Sequence, residues 1–95
     1  MRAVITRAAE RDLFSIRRRI ATDSPVRAAS FVSDLEELCV KTLSASPYIG
    51  PARDEISQGL RVHPHKGYMI CYRVKEDVVR VVPIFHASYD ITRRF

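Results

Sequence analysis

Ninety-five residues with 46% apolar content suffice for one small domain, residues 1–95, and are too apolar for a disordered chain. No run approaches the roughly 20 apolar residues of a membrane span, and the opening MRAVITRAAERD lacks the apolar stretch of an export signal. The expectation is a cytoplasmic protein that does not engage a membrane. The formal charge of +5 is uneven: six Arg against two acids in residues 1–22, three basic against six acidic side chains in 23–58, seven against three in 59–95. The basic ends would attract nucleic acid or an acidic protein.

Residues 2–6, RAVIT, read as a short opening strand, and Thr6 can cap a helix from Arg7. Ala9, Leu13, Ile16 and Ile20 recur on one helical face; Arg17, Arg18 and Arg19 read as a solvated face with stems covering the core, in preference to a phosphate site. Ser24-Pro25 restarts the helix, with Ser24 as N-cap and Pro25 where a missing N–H costs nothing. Ala28, Phe31, Leu35, Leu38 and Thr42, thickened by Val32, Cys39 and Leu43, form the second stripe. The two helices, joined by residues 21–24, form an antiparallel hairpin whose stripes need a further wall. Residues 44–58 read as a structured connection.

Three apolar segments follow, at 60–63, 68–74 and 78–86, separated by turn signals at 64–67 and 75–77. They predict an antiparallel meander with 68–74 as its central strand. Pro83 cannot donate to a ladder, so it belongs at an edge or a bulge. The apolar parity switches there, from Val79 and Val81 to Ile84 and His86, which favours a bulge. The fold class is therefore α+β: an N-terminal strand and a helical hairpin packed on a small, mainly antiparallel sheet of three to four strands.

No Gly-rich phosphate loop, CxxC or HExxH motif occurs. His63 and His65 are spaced like two ligands on one strand face, but Pro64 lies between them and no third ligand is near, so neither metal nor cofactor is expected. Cys39 and Cys71 sit in apolar runs as buried free thiols. His86, with Tyr89 and Arg61, Arg73 or Arg80, offers the parts for RNA cleavage: one group takes the 2′-hydroxyl proton and Arg steadies the phosphate. Equally, His86 can simply end a strand as a hydrogen-bonded structural residue. Both readings stay open at this point.

The order of elements, together with particular residues, resembles the RelE/ParE superfamily of toxins from bacterial type II toxin–antitoxin pairs. Ala9 with Asp12-Leu13 and Ile16 is similar to its first-helix pattern, and Pro25, Ala28-Ala29 and Phe31 to its second. Leu43, Pro47 and Gly50 resemble its connection. Gly59-Leu60-Arg61, Ile70, Tyr72-Arg73-Val74, Val81, Ile84, His86 and Asp90 resemble its sheet. The sheet motifs are nearer the ParE branch, which the resemblance associates with inhibition of DNA gyrase by docking. Met69 stands where the ribosome-dependent RNase branch usually has Arg, which points away from that chemistry.

Pro83 and Tyr89 depart from the ParE pattern, where Arg is common. The alternatives are a RelE-like, metal-independent, ribosome-dependent mRNA endonuclease using the residues above, or a decayed toxin that keeps only antitoxin binding. The resemblance also implies a cognate ParD-like antitoxin with an acidic tail, joined to the toxin in a hetero-oligomer. Arg61, Tyr89, Arg93, Arg94 and Phe95, near the end of the sheet, are the candidates for a target-docking surface. Arg93-Arg94-Phe95 can also be read as a frayed end.

Overall fold

Thr6 is where the first strand becomes the first helix. In the computed structural model, which describes residues 1–95, β1 (Arg2–Ile5) ends one residue before it and α1 (Arg7–Ala21) starts one residue after. The Thr6 hydroxyl oxygen accepts the Ala9 N–H at 3.3 Å, satisfying one of the free donors of the first turn. The second helix, α2 (Pro25–Glu37), is capped in the same way by Ser24, which accepts from the Arg27 N–H at 3.2 Å.

The helix does not stop at Glu37. It passes through a π-helical segment, Leu38–Thr42, into a last α turn, Leu43–Ala45. Leu35, Cys39 and Leu43 are all fully buried and recur every four residues. That interval exceeds the about 3.6 residues of an α turn, and the wider π turn absorbs the excess and keeps the three on one face.

The three segments of the meander become β2 (Arg61–His65), β3 (Tyr68–Lys75) and β4 (Val78–His86). Both connections are tighter than the sequence suggests, with two residues each. Lys66 and Gly67 turn at φ 48° and 84°, and Glu76 and Asp77 at 53° and 61°. Two positive φ values in a two-residue loop match the twist of a hairpin. Pro64 and His65, expected in the turn, instead belong to β2, where Pro64 pairs with Met69. A proline is tolerated there because β2 is an edge strand.

The sheet runs β1-β4-β3-β2, with β1 parallel to β4 and the other pairs antiparallel. It is therefore a four-stranded mixed sheet. The helical hairpin supplies the long crossover that a parallel pair requires. The expected bulge is present: Ile70 pairs with Ile84 and Tyr72 with Val81, so Cys71 alone faces Val82 and Pro83. Before it Val79 and Val81 face the helices, and after it Ile84 does.

The main core joins α1, α2 and the π segment to Ile70, Tyr72, Val79, Val81 and Ile84 of the sheet. A second cluster of Leu60, Val62, Cys71 and Phe85 lies on the other face, covered by Ile56 and Ile91. The two cysteines are thus buried on opposite faces and remain free thiols. Gly50 fits the main core's edge because a Cβ there would come within 2.8 Å of the Tyr72 hydroxyl and 2.9 Å of the Val62 carbonyl oxygen. Its N–H donates to that hydroxyl at 2.9 Å, which anchors the connection before β2.

Leu35 is fully buried between hairpin and sheet. Leu35→Ala is expected to cost about 2 to 5 kcal/mol, read as a lower urea midpoint with an unchanged slope.

Candidate functional site

β4 outruns β1. Their pairing ends at Ile5 and Val81, and Thr6 closes it by donating both its N–H (3.1 Å) and its hydroxyl (2.7 Å) to the Val81 carbonyl oxygen. Past that point the β4 backbone needs another partner. Asp12 of α1 provides one, its Oδ2 accepting the Ile84 N–H at 2.9 Å. The same oxygen faces the Arg94 guanidinium at 3.4 Å. One carboxylate thereby ties α1, the bulged end of β4 and the C-terminal segment together.

That segment is held at several points. Asp90 caps a 3-10 turn, Ile91–Arg94, accepting the Thr92 N–H at 3.0 Å and its hydroxyl at 2.7 Å. Ile91 packs on the second cluster. The Tyr89 ring lies 5.3 Å from that of Phe85, and the Arg73 guanidinium sits 5.5 Å over the Phe95 ring. Tyr89, Arg93, Arg94 and Phe95 therefore lie along one stretch of chain, with Tyr89 and Phe95 each 40% exposed. Tyr89 and Arg94 also border a hollow of about 470 Å³ that reaches Arg19, Tyr68 and His86.

Arg61 lies apart from this stretch. It donates to the Gly50 carbonyl oxygen at 2.8 Å and stacks 4.9 Å over the Tyr48 ring, so it holds the loop before β2. Arg73 donates to the Gln58 carbonyl oxygen and to the Ser57 hydroxyl. It faces Arg80 directly across β3 and β4, on the side away from the helices. His86 pairs with Tyr68 at the far end of that ladder and on the helix side. The separation between Arg80 and His86 along β4 is on the order of 20 Å. None of Arg61, Arg73 and Arg80 reaches His86.

Two residues that the periodicity assigned to other work share the hollow with His86. Arg19, read as part of a solvated face, spans from α1 to donate to the Tyr68 hydroxyl at 2.6 Å. Tyr68, read as strand core, is 7% exposed, and its ring meets His86 edge-on at 5.3 Å. Nothing local in the sequence marks a pair 49 positions apart. The Asp12 cap is equally invisible without knowledge that β1 stops short of Ile84.

The remaining titratable groups argue against thiol chemistry. Burial pushes the Cys39 thiol up to about 12, helped by Glu36. Burial does the same to Cys71, also to about 12, against Arg94. Neither is available as a thiolate nucleophile at neutral pH. His63 and His65 share the helix side of β2, and no group of three His, Cys, Asp or Glu side chains is placed to hold a metal ion.

The sequence profile described as "ParE toxin of type II toxin-antitoxin system, parDE" matches residues 3–91. The chain belongs to the ParE toxin family. Among solved structures, it is similar to a chain of the chromosomal ParDE toxin–antitoxin system from P. aeruginosa. That match has 24% identity and a TM-score of 0.77, covering 93% of this chain and 97% of that one. It is also similar to a chain of the RelBE2 toxin–antitoxin complex from Mycobacterium tuberculosis, at 24% identity and a TM-score of 0.67, covering 90% and 95%. No curated protein matches the chain in sequence. This ParE-family toxin has no helix long and apolar enough to cross a membrane.

His63 carries a pH dependence. Burial lowers its pKa, and His65 adds to the effect. The folded state thus disfavours the imidazolium form, and unfolding takes up a proton once the pH falls below the ordinary value of about 6.5. This contribution to stability is present above that pH and lost below it. Urea midpoints at pH 7.5 and 5.5 are expected to differ less for His63→Gln than for the unaltered chain.

Proposed function

We propose that this ParE-family toxin acts by docking on DNA gyrase and is held inactive by an antitoxin with an acidic tail. The observation that carries this reading is the division of labour among the arginines. Of the arginines that a nuclease reading draws on, Arg61 and Arg73 hold loops and Arg80 sits on the opposite face, so only Arg19, Arg27 and Arg94 share a hollow with His86. A docking toxin needs an exposed surface, and the exposure of Tyr89, Arg93, Arg94 and Phe95 supports that role for them. Arg and aromatic side chains are the types that most often anchor interfaces.

Arg93 makes no side-chain hydrogen bond or ion pair within the chain and is exposed, so Arg93→Glu is expected to leave the fold intact. It is expected to weaken inhibition of gyrase supercoiling by about tenfold or more, with an unchanged melting temperature. The runner-up, a ribosome-dependent mRNA endonuclease, is favoured by one feature: His86 and Tyr89 line the same hollow as Arg19 and Arg94. Cleavage of labelled mRNA on translating ribosomes that His86→Ala abolishes, with gyrase untouched, would replace docking by that chemistry.

The antitoxin reading draws on the hairpin's outer side. Ile5, Leu13, Phe14 and Val32 line a hollow of about 270 Å³ there, bordered by Arg17 and by the carboxylates of Glu10 and Glu36, and Phe14 is 62% exposed. An amphipathic helix could lay apolar side chains on Phe14, with acidic ones toward Arg17 and Arg18 and away from Glu10 and Glu36. The two structural relatives come from toxin–antitoxin systems, which supports such a partner. Association with the antitoxin is expected to slow as salt rises, because steering between opposite charges is screened within a Debye length. Stopped-flow rates at 50 and 500 mM salt (roughly 14 and 4 Å of screening) check this; equal rates would remove steering from the account.

A further inference from the structure

A cleft of about 510 Å³ separates the turn between α1 and α2 from the end of the sheet. Tyr68 forms part of its floor, Phe31 and Ile20 its apolar wall, and Arg19, Arg27, His86 and Ser88 its polar rim. The distribution of donors and acceptors decides what it can take. Arg19 can only donate, so in the 2.6 Å bond the Tyr68 oxygen is the acceptor and its O–H is left to give. That O–H has no acceptor within the chain.

His86 is oriented by the same kind of logic. A backbone N–H can only donate, and the Ser88 N–H points at His86 Nδ1 at 3.1 Å, with the Ser88 hydroxyl at 2.7 Å. The neutral ring therefore carries its proton on Nε2, which is also without an acceptor. Arg27 lines the cleft with no ion pair or side-chain hydrogen bond, and Arg19 has N–H groups to spare. Against these donors stands a single carboxylate, Asp23. The cleft also receives the start of α2, whose first turn holds no acidic residue to offset its positive end. The cleft is rich in donors and poor in acceptors.

We infer that this cleft binds a phosphate-class oxyanion, with Arg19, Arg27, the Tyr68 O–H and His86 Nε2–H as its donors. An oxyanion offers only acceptors, and guanidinium groups match its geometry. The cleft is larger than a bare phosphate requires, and Phe31 beside it offers a face to an attached ring, so a nucleotide or a nucleic-acid strand is a fitting source of the group. Binding here uses neither Arg93 nor Phe95, so it stands or falls separately from docking on gyrase.

The test is a set of NMR titrations of the full chain labelled with nitrogen-15, at constant ionic strength. The probes are potassium phosphate, a nucleoside monophosphate, a short single-stranded oligonucleotide, and acetate as a carboxylate control. Phosphate is expected to give saturable shifts at Arg19, Arg27, Tyr68 and His86, and acetate none at equal concentration. Arg19→Met is expected to weaken phosphate binding by about tenfold, and Tyr68→Phe, which keeps the ring and the fold, by about three- to tenfold.

Arg11→Ala removes the same charge from an exposed position of α1 outside the cleft and is expected to leave phosphate binding unchanged. Tighter binding of the nucleoside monophosphate or the oligonucleotide, through the same four residues, would identify the source of the phosphate. Three results would overturn the inference: acetate shifting the same signals as strongly as phosphate, unchanged affinity in both Arg19→Met and Tyr68→Phe, or Arg11→Ala weakening binding as much as Arg19→Met.

Discussion

The end of β1 sets a problem that the rest of the molecule is arranged to solve. β4 needs a partner on that side for its whole length, but β1 leaves it at Val81 to enter α1. A buried backbone N–H left without an acceptor costs on the order of 1 to 3 kcal/mol. The chain meets this with two features at adjacent positions. Pro83 sits in the bulge and has no N–H to satisfy, and Asp12 accepts the N–H of Ile84. The carboxylate then holds Arg94, so the surface formed by the C-terminal segment is fixed through the same atom that closes the sheet. A local hydrogen-bond deficit and a distant exposed surface are thereby one structural matter.

The bulge has a second consequence, for direction rather than pairing. Side chains alternate along a strand, so an uninterrupted β4 would put Ile84 on the same side as Arg80 and point His86 away from the helices. The extra residue moves Ile84 into the main core and Phe85 into the second cluster. It also brings His86 against Tyr68, under the reach of Arg19 from the end of α1. The donor-rich cleft therefore depends on the same irregularity as the core.

Much of this could be read without coordinates, because it rests on short-range rules. The caps at Thr6 and Ser24, the two stripes and the parity switch at Pro83 are each visible within about ten residues of sequence, and each is present. The parallel pairing of β1 was not visible, since it depends on where a helical hairpin returns the chain. Nor were the roles of Arg61 and Arg73, because both guanidinium groups find carbonyl oxygens on the loop before β2, and loops announce their path only in three dimensions. Pro64 misled for a simpler reason. It is a turn former by habit, yet an edge strand accepts it, and two residues with positive φ at Lys66 and Gly67 complete the turn without it.

Charge completes the account. Arg73 and Arg80 face one another on the sheet side that no helix covers, an arrangement that repulsion disfavours. Arg73 tolerates it because its guanidinium is turned aside, toward Ser57, Gln58 and the Phe95 ring. Arg80 has no such partner and stays in water. The basic ends of the chain thus serve unlike purposes. Some guanidinium groups are spent on holding loops and the C-terminal segment, while Arg19, Arg27 and Arg93 keep donors in reserve. The second kind can meet a partner without giving up a contact of the fold, and on that ground net charge says less about binding than the count of donors left unpaired.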